Sequence, residues 1–287
     1  MRIFVAGGTG FIGSHLVKLA LAMGHDVLCL RRSLSSSPRI ALPQQPIWLD
    51  KPLANISSSD LEGIDLVVHL VAHNVQPPFD TLDACILHNV LHPLSLLGKA
   101  ALAGVSNYVV AGSCFEYGLS GLRYDFIPPD APLEPTLTYS ASKAAASIAF
   151  TQWALQQNVS LSIKRIFHVY GAGESASRFY PSLIEAAQSG QDFPMTRGEQ
   201  IRDFADVTFV ASELLNECEW ICSERRATVS WSNLGLGKAQ SILSFAQDIW
   251  RIQQAKGQLL PGALPYREGE VMRYVPEVGT RHLLKIT

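Results

Sequence analysis

Charged residues are scarce in this sequence, and long hydrophobic runs are missing. Asp, Glu, Lys and Arg make up 17% of the 287 residues, and the formal net charge is −2. A nucleic-acid-binding protein needs a basic face, so this balance argues against that class of partner. No apolar run reaches the roughly 18 residues that a membrane-spanning helix needs, which argues against a membrane protein. The 47% hydrophobic content is typical of a wide sheet that is buried on both faces.

Cysteine is also rare, and its pattern is not that of a disulfide-rich or metal-binding protein. The five cysteines are odd in number and irregularly spaced, as expected for reduced thiols. No cluster of histidine and cysteine completes a zinc-ligand set, so we expect no metal site. The N-terminus passes from Met1 straight into a strand-like run and a glycine-rich turn, which is not typical of a signal peptide. We therefore expect a cytoplasmic protein.

Strand-like and helix-like segments alternate through the first 170 residues. Short apolar runs such as RIFVA, DVLCL, DLVVHL and NYVVAG are separated by segments with helical periodicity, including one over about 81–103. This alternation predicts an α/β fold with a Rossmann-type, doubly wound parallel sheet and right-handed crossovers. After Tyr170 the pattern becomes irregular. We predict a large domain over 1–170, to which some later segments return, and a small irregular C-terminal lobe over 171–287.

The segment GGTGFIG follows the first strand and opens the first helix, with Gly7, Gly10 and Gly13 three residues apart. Glycine here permits a tight turn, a close approach of the backbone to a pyrophosphate, and close packing of helix on sheet. The helix that begins near Phe11 and Ile12 offers free N–H groups to the phosphates. This placement predicts a dinucleotide-binding site, and residues 1–170 are then the dinucleotide-binding domain.

The end of the second strand indicates which dinucleotide is bound. An NAD site usually has an acidic residue there to bind the ribose 2′-hydroxyl, whereas this chain has Arg31 followed by Arg32. A guanidinium binds a 2′-phosphate through charge-assisted hydrogen bonds. We therefore predict NADP(H), with NAD as the alternative. Asp50, at the end of the third strand-like run, is a candidate for an adenine contact.

Three residues form a candidate catalytic set. Tyr139 and Lys143 lie four apart in a helical segment and share a face. A lysine beside a phenol favours the phenolate, so we expect the pKa of Tyr139 to lie below its usual value of about 10. Ser113 follows the fifth strand, at the carboxyl edge where parallel sheets bind ligands. Its hydroxyl can bind a substrate carbonyl or alkoxide.

Together these motifs resemble the extended short-chain dehydrogenase/reductases. The glycine spacing, Ser113 in S-x-x-x-Y-G, and Tyr139 and Lys143 in Y-x-x-x-K match that family's pattern. Further matches follow in the family's order along almost the whole chain: HLVAH, RIFHVYGAGE, GEQIRDFADV, NLGLG and YREGE. The resemblance implies an enzyme of the branch that acts on nucleotide sugars. It also implies that Leu70 and Ala72, in HLVAH, line the cofactor, together with Tyr139 and Lys143.

The same resemblance implies where the substrate binds. The C-terminal lobe would hold the nucleoside diphosphate, with Arg202 and Arg267 on the diphosphate or nucleoside and Arg178 as a further candidate. His168 replaces an asparagine that commonly contacts substrate in this family. A histidine at this position can donate to a sugar or phosphate, or titrate near pH 6.5.

The residues after Ser113 narrow the reaction. Sugar 4,6-dehydratases of the family have Asp-Glu there for the elimination, whereas this chain has Cys114 and Phe115. Glu116 comes one position late, and in an extended segment it would point to the other face. Epimerase-reductases like fucose synthase have a cysteine two residues after the serine, where this chain has Phe115. We therefore predict neither reaction.

Two reactions remain open. One is reduction of a 4-keto-6-deoxy sugar by NADPH, with Tyr139 as proton donor. The other is 4-epimerisation with tightly held NAD, using the same residues. The arginine pair favours the reductase. A non-catalytic dinucleotide sensor is less consistent with the sequence, because a sensor does not need the complete catalytic set. A reductase of apolar ketones is less consistent with it, because an apolar substrate does not need the candidate substrate arginines. The helix-like segments 81–103 and 139–157 resemble those that pair in family homodimers.

Overall fold

The structure, a computed structural model, describes residues 1–267 and 269–285. Its strands are β1 (Arg2–Ala6), β2 (Asp26–Arg31), β3 (Ile47–Asp50), β4 (Leu66–His69), β5 (Asn107–Ser113), β6 (Ser160–Ile166), β7 (His168–Tyr170), β8 (Phe193–Met195), β9 (Ile201–Arg202), β10 (Phe204–Asp206), β11 (Thr228–Leu234), β12 (Gln240–Ser241), β13 (Leu259–Pro261), β14 (Arg273–Tyr274) and β15 (His282–Lys285). Its helices are α1 (Phe11–Ala22), α2 (Leu82–Ile86), α3 (His92–Leu102), α4 (Thr138–Gln157), α5 (Phe179–Ser189), α6 (Val207–Ser223) and α7 (Ile242–Ile252).

Eight of these strands form one twisted sheet in the order β15-β11-β6-β5-β4-β1-β2-β3. All neighbouring pairs are parallel except β11 with β15, which is antiparallel. The order reverses between β1 and β4, and at such a switch point the crossover connections leave on opposite faces of the sheet. This arrangement confirms the predicted Rossmann-type fold, and it places the carboxyl ends of β1, β4 and β5 side by side.

Both faces of the sheet are covered because successive residues of each strand point to opposite sides. On β1, Phe4 packs into a core with α3 and α4, whereas Ile3 and Val5 pack into a second core with α1 and α6. Charged groups are absent from most of the central strands, which explains why the strands appear in the sequence as continuous apolar runs.

The segment predicted as one helix over about 81–103 is helical, but its middle is a π-helical turn, Leu87–Leu91, between α2 and α3. A π-turn inserts one extra residue and often marks a functional position. Here the turn presents Asn89, which is buried, toward the carboxyl edge of the sheet.

After β6 the chain builds three small sheets beside this edge: β7 with β10, β8 with β13, and β12-β9-β14. A separate apolar core around Leu183, Met195 and Phe245 supports them. The late strands β11 and β15 extend the main sheet. No helix among the described residues is both long enough and apolar enough to cross a membrane.

Candidate active site

The glycine turn between β1 and α1 requires glycine for steric reasons. Gly7 has φ +100°, and a Cβ there would lie 2.9 Å from the carbonyl carbon of Leu70. A Cβ on Gly13 would lie 2.1 Å from the Gly7 oxygen, and one on Gly10 would lie 3.1 Å from the same atom. Gly10 is the N-cap of α1 and has no side chain to cap it. The first N–H groups of α1, from Phe11 onward, are therefore available to a phosphate.

This turn fits the pyrophosphate of a dinucleotide, because the glycines let the backbone fold tightly enough to bring the free N–H groups of α1 to the ligand. Ile12 follows Phe11 in the first turn of α1. Leu70 directly follows β4 and packs against the glycine turn, and its N–H donates to the Ala6 oxygen at 2.8 Å. Ala72 lies two residues further, in the loop that leaves β4. These residues thus line one continuous edge.

Arg31 and Asp50 sit opposite each other at the ends of the paired strands β2 and β3. The Arg31 guanidinium donates to both carboxylate oxygens of Asp50, with its second contact at 3.2 Å, and lies 4.9 Å from the centre of the Trp48 ring. The hydrogen bond from Arg31 lowers the pKa of Asp50. Arg31 is therefore partly neutralised by the residue predicted to contact adenine. Arg32, next along the chain, is exposed.

The predicted catalytic residues come together at the carboxyl end of β5. Ser113 is the last residue of that strand, and its hydroxyl accepts from the N–H of Phe115 at 3.3 Å. Tyr139 lies in the first turn of α4 and is 7% exposed, with its ring stacked 6.4 Å from that of Phe79. Burial raises the pKa of Tyr139 above its usual value, and the nearby Ser113 hydroxyl acts in the opposite direction.

Lys143 lies one turn after Tyr139, also buried, and its Nζ donates to the Ala111 oxygen at 2.6 Å. Burial lowers its pKa, while the charge of Glu116 acts to raise it. The expectation that Lys143 depresses the pKa of Tyr139 is wrong for this structure. The ammonium is bound to a backbone carbonyl, and loss of hydration around the phenol is the larger effect.

The residues after Ser113 form a single 3₁₀ turn, Cys114–Glu116, and not the extended segment assumed from the sequence. Burial raises the pKa of the Cys114 thiol to about 12, so this thiol is neutral near pH 7. Phe115 is 43% exposed, and its ring meets that of His168 edge-on at 6.3 Å. Glu116 is fully buried and curls back to the backbone of Ser113.

His168 begins β7, beside Phe204 of β10. Its Nδ1 is buried and has no hydrogen-bond partner among the described residues. Burial, followed by the charges of Arg202 and Arg178, lowers its pKa to about 3. The expectation that this histidine can titrate near pH 6.5 is therefore wrong. A neutral imidazole carries one donor and one acceptor, so His168 can still bind a polar ligand.

The predicted substrate arginines differ in their surroundings. Arg202 is 8% exposed and donates to the Val271 oxygen at 2.5 Å and to Glu270 at 3.2 Å. Arg178 is largely exposed and pairs with Glu174 at 3.4 Å. Arg267 is exposed, in the loop between β13 and β14. The charges of Arg202 and Arg178 both lower the pKa of His168, and each arginine is paired with a carboxylate, Glu270 and Glu174 respectively.

Asn89 was not singled out in the sequence, yet it connects two parts of the site. Its Oδ1 accepts from the His73 N–H at 2.7 Å, and its Nδ2 donates to the Ser142 hydroxyl at 2.9 Å. The Ser142 hydroxyl in turn donates to the backbone carbonyl oxygen of Tyr139 at 2.7 Å. Asn89 thereby ties the loop after β4 to the catalytic helix. The sequence held one signal that could have identified this residue: asparagine is a weak helix former, and here it lies inside an apolar helical segment.

Comparison with known proteins agrees with this geometry. The sequence model of the NAD dependent epimerase/dehydratase family matches residues 3–215. A UDP-glucose 4-epimerase from Corynebacterium glutamicum is 26% identical over 94% of this chain and 85% of the relative. A dTDP-6-deoxy-L-talose 4-dehydrogenase (NAD(+)) from Aggregatibacter actinomycetemcomitans is 26% identical over 72% of this chain and 76% of the relative.

A solved structure, the NAD-dependent NDP-hexosamine 5,6-dehydratase TunA, is 27% identical and superposes with a TM-score of 0.81 over 97% of this chain and 89% of its own. The fold and the arranged residues thus define an extended short-chain dehydrogenase/reductase, as the motifs predicted. Within that class, the chain belongs to the NAD dependent epimerase/dehydratase family.

Proposed function

We propose that this protein reduces the keto group of a nucleotide-activated 4-keto-6-deoxy sugar with NADPH. The observation that carries the proposal is the convergence of Ser113, Tyr139 and Lys143 at one edge of the sheet, beside a turn shaped for a dinucleotide. The cofactor, when bound, supplies the hydride. The protein side chains supply the proton and hold the reacting oxygen.

The state of Tyr139 suits reduction. A phenol with its usual pKa of about 10 is protonated near pH 7, and burial does not change that state, so the Tyr139 hydroxyl can donate a proton to a carbonyl oxygen that gains a hydride at its carbon. Ser113, whose hydroxyl lies near Tyr139, would bind the same oxygen. Lys143, one turn along α4, would bind the nicotinamide ribose. Its ammonium would then give up the hydrogen bond to the Ala111 oxygen and donate to the cofactor.

The residues beside Ser113 support a simple reduction. Burial disfavours the thiolate of Cys114, so this thiol is a poor base near pH 7, and Phe115 has no ionisable group. The carboxylate of Glu116 is turned away from the cleft, onto the backbone of Ser113. No side chain of this turn therefore offers the acid pair of a 4,6-dehydratase or the thiol of an epimerase-reductase.

Two arginines near His168, each paired with a glutamate, support a nucleotide-sugar substrate. Arg202 and Arg178 lie close enough to His168 to depress its pKa, and such convergent positive charge suits a diphosphate. We assign the diphosphate to these two arginines and a neutral hydrogen bond to His168. Arg267 is placed as a candidate for the nucleoside, at the exposed rim of the lobe.

A 4-epimerase that uses NAD is the second candidate. The Corynebacterium relative, which covers 94% of this chain, is a UDP-glucose 4-epimerase. The ion pair between Arg31 and Asp50 also favours NAD, because it removes positive charge from the place where a 2′-phosphate would bind. In this reaction Tyr139 would first remove and then return the proton at one sugar hydroxyl.

The proposal includes a homodimer in the cytoplasm. Five apolar side chains on the two helical segments are more than 40% exposed: Leu82, Leu87, Leu91, Leu102 and Ile148. A second copy of the chain would cover them and form a four-helix interface.

The reaction can be tested with the purified protein. We would first identify any nucleotide released on denaturation, then supply dTDP-, UDP-, CDP- and GDP-linked 4-keto-6-deoxy sugars with NADPH or NADH, and separately UDP-glucose without added cofactor. Consumption of NADPH with formation of the 4-hydroxy sugar is the expected result. Released NAD, with interconversion of 4-epimers and no net consumption of cofactor, would establish the epimerase instead. Inactivity in every assay would overturn both.

A further inference from the structure

Glu116 is a fully buried carboxylate that contacts three separate parts of the catalytic centre. Its Oε1 accepts from the backbone N–H of Ser113 at 2.7 Å. Its Oε2 accepts from the hydroxyl of Ser147 on α4 at 2.7 Å and from the Nε of Arg165 on β6 at 2.9 Å. Ser147 lies four residues after Lys143, on the same face of α4. The carboxylate therefore joins the serine, the catalytic helix and the neighbouring strand.

The local sequence makes room for this carboxylate. Gly112 precedes Ser113, and a Cβ there would lie 2.8 Å from the Oε1 of Glu116 and 3.1 Å from the Cγ of Arg165. A side chain at position 112 would push the carboxylate off the Ser113 N–H. Gly112 and Glu116 thus form a matched pair around the end of β5.

The ionisable groups around this carboxylate define its electrostatic effect. Five ionisable groups from the surrounding elements interact with Glu116 or Lys143. They are His69 of β4, Cys114 and Tyr117 in and beside the 3₁₀ turn, Tyr139 of α4 and Arg165 of β6. His69 is neutral near pH 7, because burial followed by the charge of Lys143 lowers its pKa to about 3. Arg165 pairs with Glu116 directly. Glu116 carries the one carboxyl group of this set, and Lys143 donates to the Ala111 oxygen, two residues before the Ser113 N–H that Glu116 binds.

We propose that Glu116 is a positioning residue, whose carboxylate fixes the backbone of Ser113 and supplies the negative charge that holds the Lys143 ammonium at the catalytic edge. This inference rests on the proposed function for the role of Lys143 toward the cofactor ribose. Without the carboxylate, burial favours the neutral form of Lys143, and no other anion among the described residues opposes it.

The test measures cofactor binding and needs no substrate. We would titrate the Glu116→Gln variant and the wild type with NADH and with NADPH, following tryptophan fluorescence from about pH 6 to about pH 10. Glutamine keeps an oxygen for the Ser113 N–H but removes the charge. Lys143 then loses its proton at lower pH, so the alkaline loss of affinity should begin on the order of one pH unit earlier than in the wild type.

A matched control is Glu217→Gln. Glu217 is 3% exposed and binds Ser162 at 2.6 Å and Lys164 at 3.1 Å, on the opposite face of the sheet. Its variant should keep the wild-type pH profile. If Glu116→Gln does not fold, Glu116→Gln combined with Arg165→Met removes both charges together and should show the same early loss of affinity.

Coincident profiles for the wild type and the Glu116 variants would overturn the proposal, and so would an equal shift in Glu217→Gln. If no nucleotide sugar turns over, the proposed reaction fails, but this binding result still decides the role of Glu116. If turnover is found, Glu116→Asp should restore the wild-type pH profile, because it restores the charge. Its kcat should stay several-fold lower with little change in the cofactor Kd, because the shorter side chain releases Ser113.

Discussion

Lys164 and Arg165 are consecutive residues of β6, and they form buried ion pairs on opposite faces of the same sheet. Lys164 meets Glu217 of α6 at 3.1 Å, and Arg165 meets Glu116 of the serine turn at 2.9 Å. The alternation of side chains along a strand produces this arrangement. One strand thereby connects the helix layer behind the sheet with the catalytic centre in front of it.

Replacing Tyr139 with phenylalanine should remove most of the turnover. Proton donation by a positioned side chain typically contributes about 10²–10⁴-fold, and we expect kcat to fall within that range. The ring remains to stack on Phe79, so the Kd for NADPH should stay close to the wild-type value. Steady-state kinetics and a binding titration measure the two effects. Unchanged turnover would contradict the role of Tyr139 as proton donor.

Replacing Asp50 with asparagine should increase the preference for NADPH over NADH. The change frees the Arg31 guanidinium, which can then bind a 2′-phosphate. Because hydrogen bonds between charged groups are strong, we expect the ratio of kcat/KM for the two cofactors to change by roughly tenfold or more. Arg31→Asp should move the preference toward NADH. The measurement is the ratio of kcat/KM for the two cofactors.

Asp60→Asn is the control for this cofactor test. Asp60 pairs with Lys51, at 2.8 Å, and does not touch Arg31. Its variant should leave the ratio unchanged. A ratio that is the same in Asp50→Asn as in the wild type would show that Arg31 does not recognise the phosphate.

Replacing His168 with asparagine should flatten the acid side of the stability profile. The pKa of His168 is about 3 in the folded protein and about 6.5 when unfolded, so the unfolded state binds the proton first as pH falls. Stability is therefore complete above about pH 6.5 and is lost as the pH falls toward 3. At about pH 5 the loss from this one group is about 2 kcal/mol.

Urea unfolding at about pH 7 and about pH 5 measures this difference. The variant should lose about 2 kcal/mol less between the two conditions than the wild type does. His92→Asn, at a partly exposed position on α3, is the control and should behave as the wild type. An identical loss in His168→Asn would contradict a neutral, buried His168.

Replacing Asn89 with alanine should destabilise the protein by about 1–3 kcal/mol, because the His73 N–H loses its acceptor in a buried place. It should also weaken NADPH binding, since the loop after β4 loses its tie to Ser142. Asn107→Ala removes two longer, exposed hydrogen bonds, of 3.3 and 3.4 Å, and should have a much smaller effect. Denaturant melts and binding titrations would show whether Asn89 acts on both properties.

Replacing Leu91 with aspartate should dissociate the proposed homodimer. Leu91 is 53% exposed, and Ile148 on the neighbouring α4 is 64% exposed, so a charge there would be buried against a second copy. Light scattering of the wild type should give twice the monomer mass, and the variant should give the monomer mass. A monomeric wild type would contradict the prediction.

The sequence predicted the fold and the family because their signals are local. Glycine spacing, apolar strand runs and the four-residue separation of Tyr139 and Lys143 each depend on neighbours in the chain. The comparisons and the sheet topology confirm both predictions. Chemistry that depends on distant partners was less visible. The pairing of Arg31 with Asp50, 19 residues apart, could not be read from spacing, nor could the burial that controls Tyr139.

Glu116 shows the same limit on a smaller scale. Its position, one residue too late for a dehydratase, still only predicts the reaction, but the conformation expected for it was wrong, because three residues adopt a 3₁₀ turn where an extended strand end was assumed. Arg165, 49 residues away, is what pairs with the carboxylate inside the protein. The residues around His168 likewise come from separate elements. Phe115 of the serine turn and Phe204 of β10 pack against its ring, and the charges of Arg202 and Arg178 add to the effect of burial on its pKa.

The hydroxyl of Tyr274 donates to the Cys114 oxygen at 3.0 Å, and its ring lies 6.1 Å from that of Phe167 in the small core under the serine turn. The parts of this site are therefore synthesised at different times during translation. The N-terminal strands and the glycine turn leave the ribosome long before Tyr274 is made, so a growing chain can assemble its dinucleotide cradle early. The turn that carries Ser113 gains the support of Tyr274 only after that late residue has been synthesised, so this turn is completed after the glycine turn.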